Sequence, residues 1–183
     1  TYPHDTSYFT QGLIYSNGFL YEGTGLFGES ALYQSDLETG ELIQSTTLPD
    51  DRFGAGITFN NNTIIQLTLQ AGEAFVYYDT TFEFIQHFDY PLTTQGWGIT
   101  NNGNELIMSN GTGTLHILNA SDYTFIESVQ VSDNQSSLNL LNELEFINGY
   151  VYANIWFDNR IAKIDYQTGK VLAYLDLTGL IPE

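Results

Sequence analysis

Carboxylates are the most abundant side chains in this sequence that could do chemistry. The chain has 22 acidic residues against four basic ones, a formal net charge of −18. It has no cysteine, which excludes thiolate nucleophiles and thiolate metal sites. His4, His87 and His116 lie far apart, without the spacing of a three-histidine metal site. Carboxylates could hold Ca²⁺, but no EF-hand or Asp-rich nonapeptide loop occurs, so we expect no cofactor and leave Ca²⁺ open.

The charge balance excludes two classes of partner. Nucleic acids and anionic membrane surfaces are bound by clustered Lys and Arg, which this chain lacks. No apolar run approaches the roughly 18 residues that cross a bilayer. The abundance of Asn, Ser and Thr, together with a start at Thr1 rather than Met, favours a secreted, extracellular protein whose leader has been removed.

Asn-x-Ser/Thr sequons offer a second kind of chemistry, the attachment of glycans. Each of them lies in a stretch that we interpret as a turn or a strand end, where an oligosaccharide could be carried. They begin at Asn61, Asn110, Asn119 and Asn134.

The elements that must position these side chains repeat along the chain. A hydrophobic strand, an Asn-rich turn and a second hydrophobic strand recur four times, starting at residues 12, 56, 98 and 144. A spacing of about 44 residues is typical of a β-propeller blade. Two further strands follow in each repeat around a second turn, as in Ala31-Leu32-Tyr33 and Leu42-Ile43. Gly and Asn in these turns permit the positive φ that tight hairpins require.

The repeats predict an all-β protein, a single β-propeller domain over residues 1–183 with four recognisable four-stranded blades. The best candidate for a helix is the short segment Leu138–Leu144. A β-sandwich is the structural alternative, although a sandwich does not need a regular repeat near this length.

Several blocks within the repeats are similar to motifs of one known family. They are Phe9-Thr10-Gln11-Gly12-Leu13, Tyr21-Glu22-Gly23-Thr24-Gly25-Leu26-Phe27-Gly28, Gly96-Trp97-Gly98-Ile99-Thr100, Met108-Ser109-Asn110-Gly111, Leu141-Asn142-Glu143-Leu144-Glu145 and Ala153-Asn154-Ile155-Trp156. In this order and spacing the sequence resembles the plant and bacterial glutaminyl-peptide cyclotransferases, which are five-bladed β-propellers.

The resemblance implies a reaction in which the α-amine of an N-terminal Gln attacks its own side-chain amide, closes pyroglutamate and expels ammonia. A carboxylate would carry the proton from the amine to the leaving nitrogen. Aromatic rings would wall the pocket, and Gln or Asn side chains would hold the substrate amide. The motif positions in this sequence are Phe9, Gln11, Trp97, Asn142 and Trp156 for substrate binding, with Glu22 and Glu143 as matching carboxylates.

The departures from the family pattern concern the chemistry directly. The family block Phe-Gly-Glu-Gly-Ile-Thr, whose Glu is the acid/base, reads Phe53-Gly54-Ala55-Gly56-Ile57-Thr58 here. The Leu-Thr-Trp-Lys block reads Leu67-Thr68-Leu69-Gln70, which removes a pocket aromatic. An Asp of the family becomes Asn110. The strands of a fifth blade are absent from these residues. Three alternatives follow: the propeller closes with four blades, a neighbouring chain supplies the missing strands through self-association, or a further segment supplies them.

Two functions follow from this comparison. The first is a cyclotransferase-like propeller without its acid/base residue, acting as an extracellular binding or structural, assembly-forming protein. The second is an active cyclotransferase whose substrate is a peptide with N-terminal Gln. In that case Glu143, Glu22 or Glu29 would replace the missing carboxylate at position 55.

Overall fold

The computed structural model describes residues 2–90, 95–134 and 136–180, and all regular secondary structure in these ranges is β-strand. The strands form four sheets, each containing four consecutive antiparallel strands in chain order. That is the construction of a propeller blade. The predicted all-β propeller fold is therefore confirmed, and the β-sandwich alternative is wrong. Two compact units, Thr1–Gly96 and Trp97–Glu183, contain two sheets each.

The first unit contains the two N-terminal sheets. In both, the strand order along the sheet equals the order along the chain, because tight hairpins join antiparallel neighbours. The first sheet consists of β1 (Thr10–Ser16), β2 (Phe19–Thr24), β3 (Ala31–Asp36) and β4 (Leu42–Thr47), and the second of β5 (Gly54–Asn60), β6 (Thr63–Thr68), β7 (Glu73–Tyr78) and β8 (Phe84–Asp89).

The second unit repeats this plan with one addition. The third sheet consists of β9 (Ile99–Asn101), β10 (Glu105–Met108), β11 (Thr114–Asn119) and β12 (Phe125–Gln130). A short hairpin of β13 (Ser132–Asp133) and β14 (Ser136–Ser137) precedes the fourth sheet, β15 (Leu141–Ile147), β16 (Tyr150–Ile155), β17 (Arg160–Asp165) and β18 (Lys170–Asp176). Because Ser132 pairs in parallel with Lys170, the hairpin extends this sheet to six strands.

Asn-Gly turns set the register of the first hairpin in two of the sheets. Asn17 and Gly18 have φ of 51° and 89°, and Asn148 and Gly149 have 51° and 88°. Positive φ at both central residues is the geometry that matches the twist of the flanking strands. These turns were predicted from the sequence and are confirmed.

Each unit has an apolar core between its two sheets, because one face of every blade carries branched and aromatic side chains. In the first unit the core consists of Tyr21, Leu32, Leu48, Ile57, Ile64, Phe75, Tyr77 and Phe82. In the second unit it consists of Ile107, Leu115, Ile117, Val129, Val131, Leu141, Leu144, Val151, Ala153, Ile155, Ala162, Ile164 and Val171. These cores fix the first strands of the sheets, from which the candidate site is built.

The best candidate for a helix in the sequence, Leu138–Leu144, does not form one. Leu140 has φ of 63°, which a right-handed helix does not accommodate, and Leu141 begins strand β15. Pairing with β16 and burial of Leu141 and Leu144 in the core override the weak local helical pattern.

Candidate functional site

Three of the four first strands contain a β-bulge near their start. In β1, Thr10 pairs with Thr24 and Gly12 with Gly23, so Gln11 is an extra residue. In β5, Ala55 and Gly56 occupy the interval between the paired residues Gly54 and Ile57. In β15, Asn142 and Glu143 lie between the paired Leu141 and Leu144. A bulge bends the strand and redirects side chains, and it recurs next to active sites. Three of the sequence-predicted site residues, Gln11, Asn142 and Glu143, therefore lie on bulges, as does Ala55.

The bulge of β5 carries the departure at position 55. Ala55 is fully buried, and its methyl group can neither accept nor donate a proton. The backbones of the two sheets are close here, since a Cβ on Gly23 would lie 3.0 Å from the Ala55 carbonyl oxygen. The first unit thus holds an inert side chain where the resemblance implies an acid/base.

Glu22, the motif carboxylate of the first unit, is engaged on both oxygens. Its Oε2 lies 3.0 Å from His4 Nε2, and the Thr10 hydroxyl donates to Oε1. Only 4% of the residue is exposed. These contacts fasten the N-terminal segment to β1 and β2. Its role as a substitute acid/base stays a prediction, and a buried carboxylate with two partners is poorly placed to exchange protons.

Phe9 and Gln11 lie on the same edge of the first unit. Phe9 is 50% exposed and meets Phe53 edge to face, with ring centroids 6.2 Å apart. Phe53 lies over Gly25, where a Cβ would come 2.2 Å from a ring carbon. The Gln11 side-chain amide donates to the Thr10 carbonyl at 3.2 Å. An exposed ring beside a side-chain amide suits the binding of a peptide end, and the substrate-binding role of these two residues stays a prediction.

In the second unit, Trp97 and Trp156 are in contact. Their rings pack edge to face with centroids 5.2 Å apart, and Phe157 stacks on Trp156 at 4.2 Å. We call these three residues the aromatic shelf. Trp156 is 46% exposed and Phe157 is 86% exposed. The shelf therefore presents aromatic surface to solvent.

Backbone contacts hold the shelf in place. The Trp156 N–H donates to the Leu140 carbonyl at 2.9 Å, and the Leu140 N–H donates to the Gly111 carbonyl at 3.1 Å. Trp97 covers Gly111, where a Cβ would lie 2.5 Å from the indole ring. Both tryptophans are thus fixed through one glycine, which accounts for the Asn110-Gly111 motif beside them.

Phe157 was not among the residues predicted from the sequence. Its φ of 63° places a bulky side chain in the left-handed region, at a cost of about 1 to 2 kcal/mol. Because the ring is exposed, its burial does not offset the strain of the backbone. This combination points to a role in binding. The only sequence signal was an aromatic residue directly after Trp156 in a turn.

Asn142 and Glu143 are held by the start of the third sheet. The Ser109 hydroxyl donates to the Asn142 carbonyl at 2.7 Å and accepts the Gly98 N–H at 2.8 Å. Gly98 leaves no space for a side chain, since a Cβ would lie 2.3 Å from the Asn142 carbonyl oxygen and 2.6 Å from the Glu143 Cα. The position of the bulge is therefore fixed by backbone atoms. The Asn142 side chain takes no part in these contacts.

Glu143 is the chemically distinctive carboxylate of the second unit. Although its side chain reaches the surface in part, Oε2 is buried and has no hydrogen-bond partner in the part of the chain that the structure describes. Burial raises the pKa of Glu143 well above the ordinary 4.5, and the charge of Glu145 raises it further. Glu143 is thus a carboxyl group that loses its proton at a higher pH than an ordinary glutamate.

We expect Glu143→Gln to stabilise the protein at neutral pH. The raised pKa means that the unfolded chain ionises first, so the wild type loses stability as pH rises from 4.5 to the folded-state pKa, at about 1.4 kcal/mol per pKa unit. Glutamine carries no such penalty. Urea denaturation should show the variant more stable at pH 7 and equal to the wild type below pH 4.5. A difference that does not change with pH would contradict the assignment of a raised pKa.

The four sequons lie where a glycan could be accommodated. Asn61 is in the turn between β5 and β6, Asn110 follows β10, Asn119 ends β11 and Asn134 follows β13. The Asn110 and Asn119 side-chain oxygens accept hydrogen bonds from the hydroxyls of Thr112 and Ser121 within their own sequons, both at 2.6 Å. Glycosylation at these sites stays a prediction.

Within residues 2–90, 95–134 and 136–180, no group of three or more His, Cys, Asp or Glu could hold a metal ion. No helix in the same ranges has the length and apolar character to cross a membrane.

The matches to known proteins cover nearly the whole of this chain. The profile of the family described as "Glutamine cyclotransferase" matches residues 1–183. A glutaminyl-peptide cyclotransferase of Arabidopsis thaliana is 33% identical over 180 residues, which cover 98% of this chain and 56% of the relative. The chain thus spans little more than half the length of that relative.

Solved structures agree with this match. The crystal structure of Myxococcus xanthus glutaminyl cyclase superposes with a TM-score of 0.88 at 30% identity, over 98% of this chain and 75% of that one. The computationally designed Ika4 protein and BamB from Moraxella catarrhalis give TM-scores of 0.53 at 13% and 15% identity, covering 80% and 90% of this chain and 85% and 48% of theirs. The last two likenesses concern the fold alone.

Proposed function

Because this chain belongs to the glutamine cyclotransferase family, we propose that it binds the N-terminal glutamine of peptides and has lost the acid/base step that closes pyroglutamate. The observation that carries the proposal is Ala55, fully buried in the β5 bulge at the position of the family's acid/base. The proposal includes an extracellular, glycosylated setting, which the four sequons at turns and strand ends support.

The missing carboxylate affects the chemistry more than the binding. Cyclisation forms a bond between the α-nitrogen and the side-chain amide carbon, breaks the bond to the amide nitrogen and releases ammonia. The attacking amine must lose a proton, and the leaving nitrogen must gain one. A positioned acid/base typically contributes about 10²- to 10⁴-fold to such a step. Alanine at position 55 removes that contribution, whereas the side chains suited to hold a peptide are retained.

The retained features suit a peptide end with a positive charge. The aromatic shelf of Trp97, Trp156 and Phe157 offers exposed ring surface to an apolar part of the ligand. The side-chain amide of Asn142, carried on the β15 bulge of the same unit as the shelf, matches the donor and acceptor pattern of a glutamine amide. The net charge of −18 attracts the protonated α-amine.

One observation favours a second function, an active cyclotransferase that uses Glu143. The Oε2 atom of Glu143 is buried without a partner, and burial raises the pKa of the carboxyl group towards the range in which acid/base catalysts work. In this case the wild type would turn over N-terminal Gln peptides, and Glu143→Gln would abolish the reaction. The two functions therefore differ in turnover and share the binding step.

Titration calorimetry tests the binding proposal with a peptide that begins with Gln and the same peptide beginning with pyroglutamate. We expect the Gln peptide to bind at least tenfold more tightly, because the pyroglutamate peptide has neither the free α-amine nor the side-chain amide group of glutamine. Phe157→Gly should weaken Gln-peptide binding about tenfold through lost ring contact, without loss of stability, since glycine accepts a φ of 63°.

The matched control is Phe125→Ala, which removes a partly exposed ring from the outer strand β12. It should leave the affinity for the Gln peptide unchanged. Equal binding of the two peptides would contradict the proposed recognition of N-terminal glutamine. Equal losses in the Phe157 and Phe125 variants would contradict the role of the shelf.

A further inference from the structure

The first unit contains a cleft of about 330 Å³ that has no assigned ligand. Its volume is at the small end of the range for small-molecule sites, about 300 to 1,000 Å³. Tyr8, Phe9 and Tyr33 contribute aromatic walls, and Glu29 contributes a carboxylate. A cleft of this size can take one side chain or a small organic molecule.

Two of the aromatic walls form a rigid pair. The rings of Tyr8 and Tyr33 are stacked, with centroids 4.1 Å apart and an interplanar angle of 11°. Tyr8 also meets His4 edge to face at 6.1 Å, and His4 is held by the buried Glu22. The wall formed by the N-terminal segment is therefore fastened to the sheet, so the shape of the cleft is set before any ligand binds.

Negatively charged groups dominate the electrostatic environment of the cleft. Glu29 makes no side-chain hydrogen bond or ion pair within the described residues of this unit. Burial raises the pKa of both Tyr8 and Tyr33, and the carboxylates of Asp5 and Glu22 raise the pKa of each further. Arg52 is the only Lys or Arg among residues 1–96, and it is paired with Asp51 and Glu73. The cleft thus combines a free carboxylate with aromatic surface and no fixed counter-charge.

We propose that this cleft binds the guanidinium group of an arginine side chain presented by a peptide or protein partner. A planar cation that stacks on aromatic rings and pairs with a carboxylate is the chemistry that these walls recognise. Arginine fits better than lysine because its guanidinium is planar and more weakly hydrated. The inference does not rest on the proposed function, since the cleft shares only Phe9 with the residues predicted to bind a peptide end and requires neither an N-terminal glutamine nor its cyclisation.

The test uses the whole chain and two small probes of equal shape, N-acetylarginine amide and the uncharged N-acetylcitrulline amide. In NMR titrations we expect the arginine probe to bind at least tenfold more tightly than the citrulline probe. Glu29→Gln should weaken binding of the arginine probe about threefold to fivefold, because the neutral amide removes the paired charge while keeping the side-chain volume.

The control variant is Glu38→Gln, an exposed carboxylate on the turn between β3 and β4 that changes the net charge equally. It should leave the affinity for arginine unchanged. Equal affinities for the two probes, or equal losses in the Glu29 and Glu38 variants, would overturn the assignment. Gln-peptide affinity that is unaffected by Glu29→Gln would separate this cleft from the proposed peptide site. Circular dichroism establishes that both variants are folded.

Discussion

Replacing Gly98 by alanine is expected to lower the free energy of unfolding by about 3 kcal/mol, the upper end of the usual cost of overpacking. The added Cβ would lie 2.3 Å from the Asn142 carbonyl oxygen, 2.6 Å from the Glu143 Cα and 2.9 Å from the Leu144 nitrogen. All three contacts are to backbone, so no side chain can rotate away. The bulge that carries Asn142 would shift, and we expect binding of the Gln peptide to fall below detection. Urea denaturation and calorimetry measure the two effects.

Gly149→Ala provides the matched control for this substitution. Gly149 lies in the turn between β15 and β16, has φ of 88° and would place its Cβ in open space. Its only cost is the strain of a positive φ, about 1 kcal/mol, and the affinity for the Gln peptide should not change. If Gly98→Ala were as stable as Gly149→Ala and bound the peptide normally, the close approach at Gly98 would not set the bulge.

Ala55→Glu is expected to raise the rate of pyroglutamate formation at least 10²-fold over the wild type, the lower end of the contribution of a positioned acid/base. The position is fully buried, and burial raises the pKa of a carboxyl group towards neutrality, which suits proton transfer in both directions. Ammonia release from a Gln peptide measures the rate.

Ala55→Gln is the control for size, because glutamine has nearly the same volume as glutamate and no ionisable carboxyl group. It should remain at the wild-type rate. Thermal unfolding of both variants shows whether the buried site accommodates the longer side chain. Equal rates in the Glu and Gln variants, with both folded, would contradict the view that position 55 is the lost acid/base.

The sequence predicted the architecture well because the signals for blades are local. Asn17-Gly18 and Asn148-Gly149 fix hairpins through backbone sterics, and alternating apolar residues fix the buried face of each strand. Repetition then strengthened each local signal. The short hairpin of β13 and β14 was missed because it pairs with β18, a contact that no nearby residue indicates.

The candidate site residues were visible in the sequence as motif positions, whereas their geometry was not. Motif positions indicated Gln11, Ala55, Asn142 and Glu143, but a bulge is a property of strand pairing and cannot be seen in one strand alone. The contact between His4 and Glu22 could not be predicted either, because the two residues are 18 positions apart and meet only in the folded chain. Phe157 was missed because its exposure and strain depend on the turn that presents it.

The central claim, binding without cyclisation, is tested most directly by the mass of a Gln peptide after long incubation with a stoichiometric amount of the wild-type chain. We predict that the peptide keeps its full mass to the same extent as in buffer, although calorimetry shows it bound. Loss of the mass of one ammonia, faster than in buffer and abolished by Glu143→Gln, would contradict the account and establish Glu143 as the proton carrier.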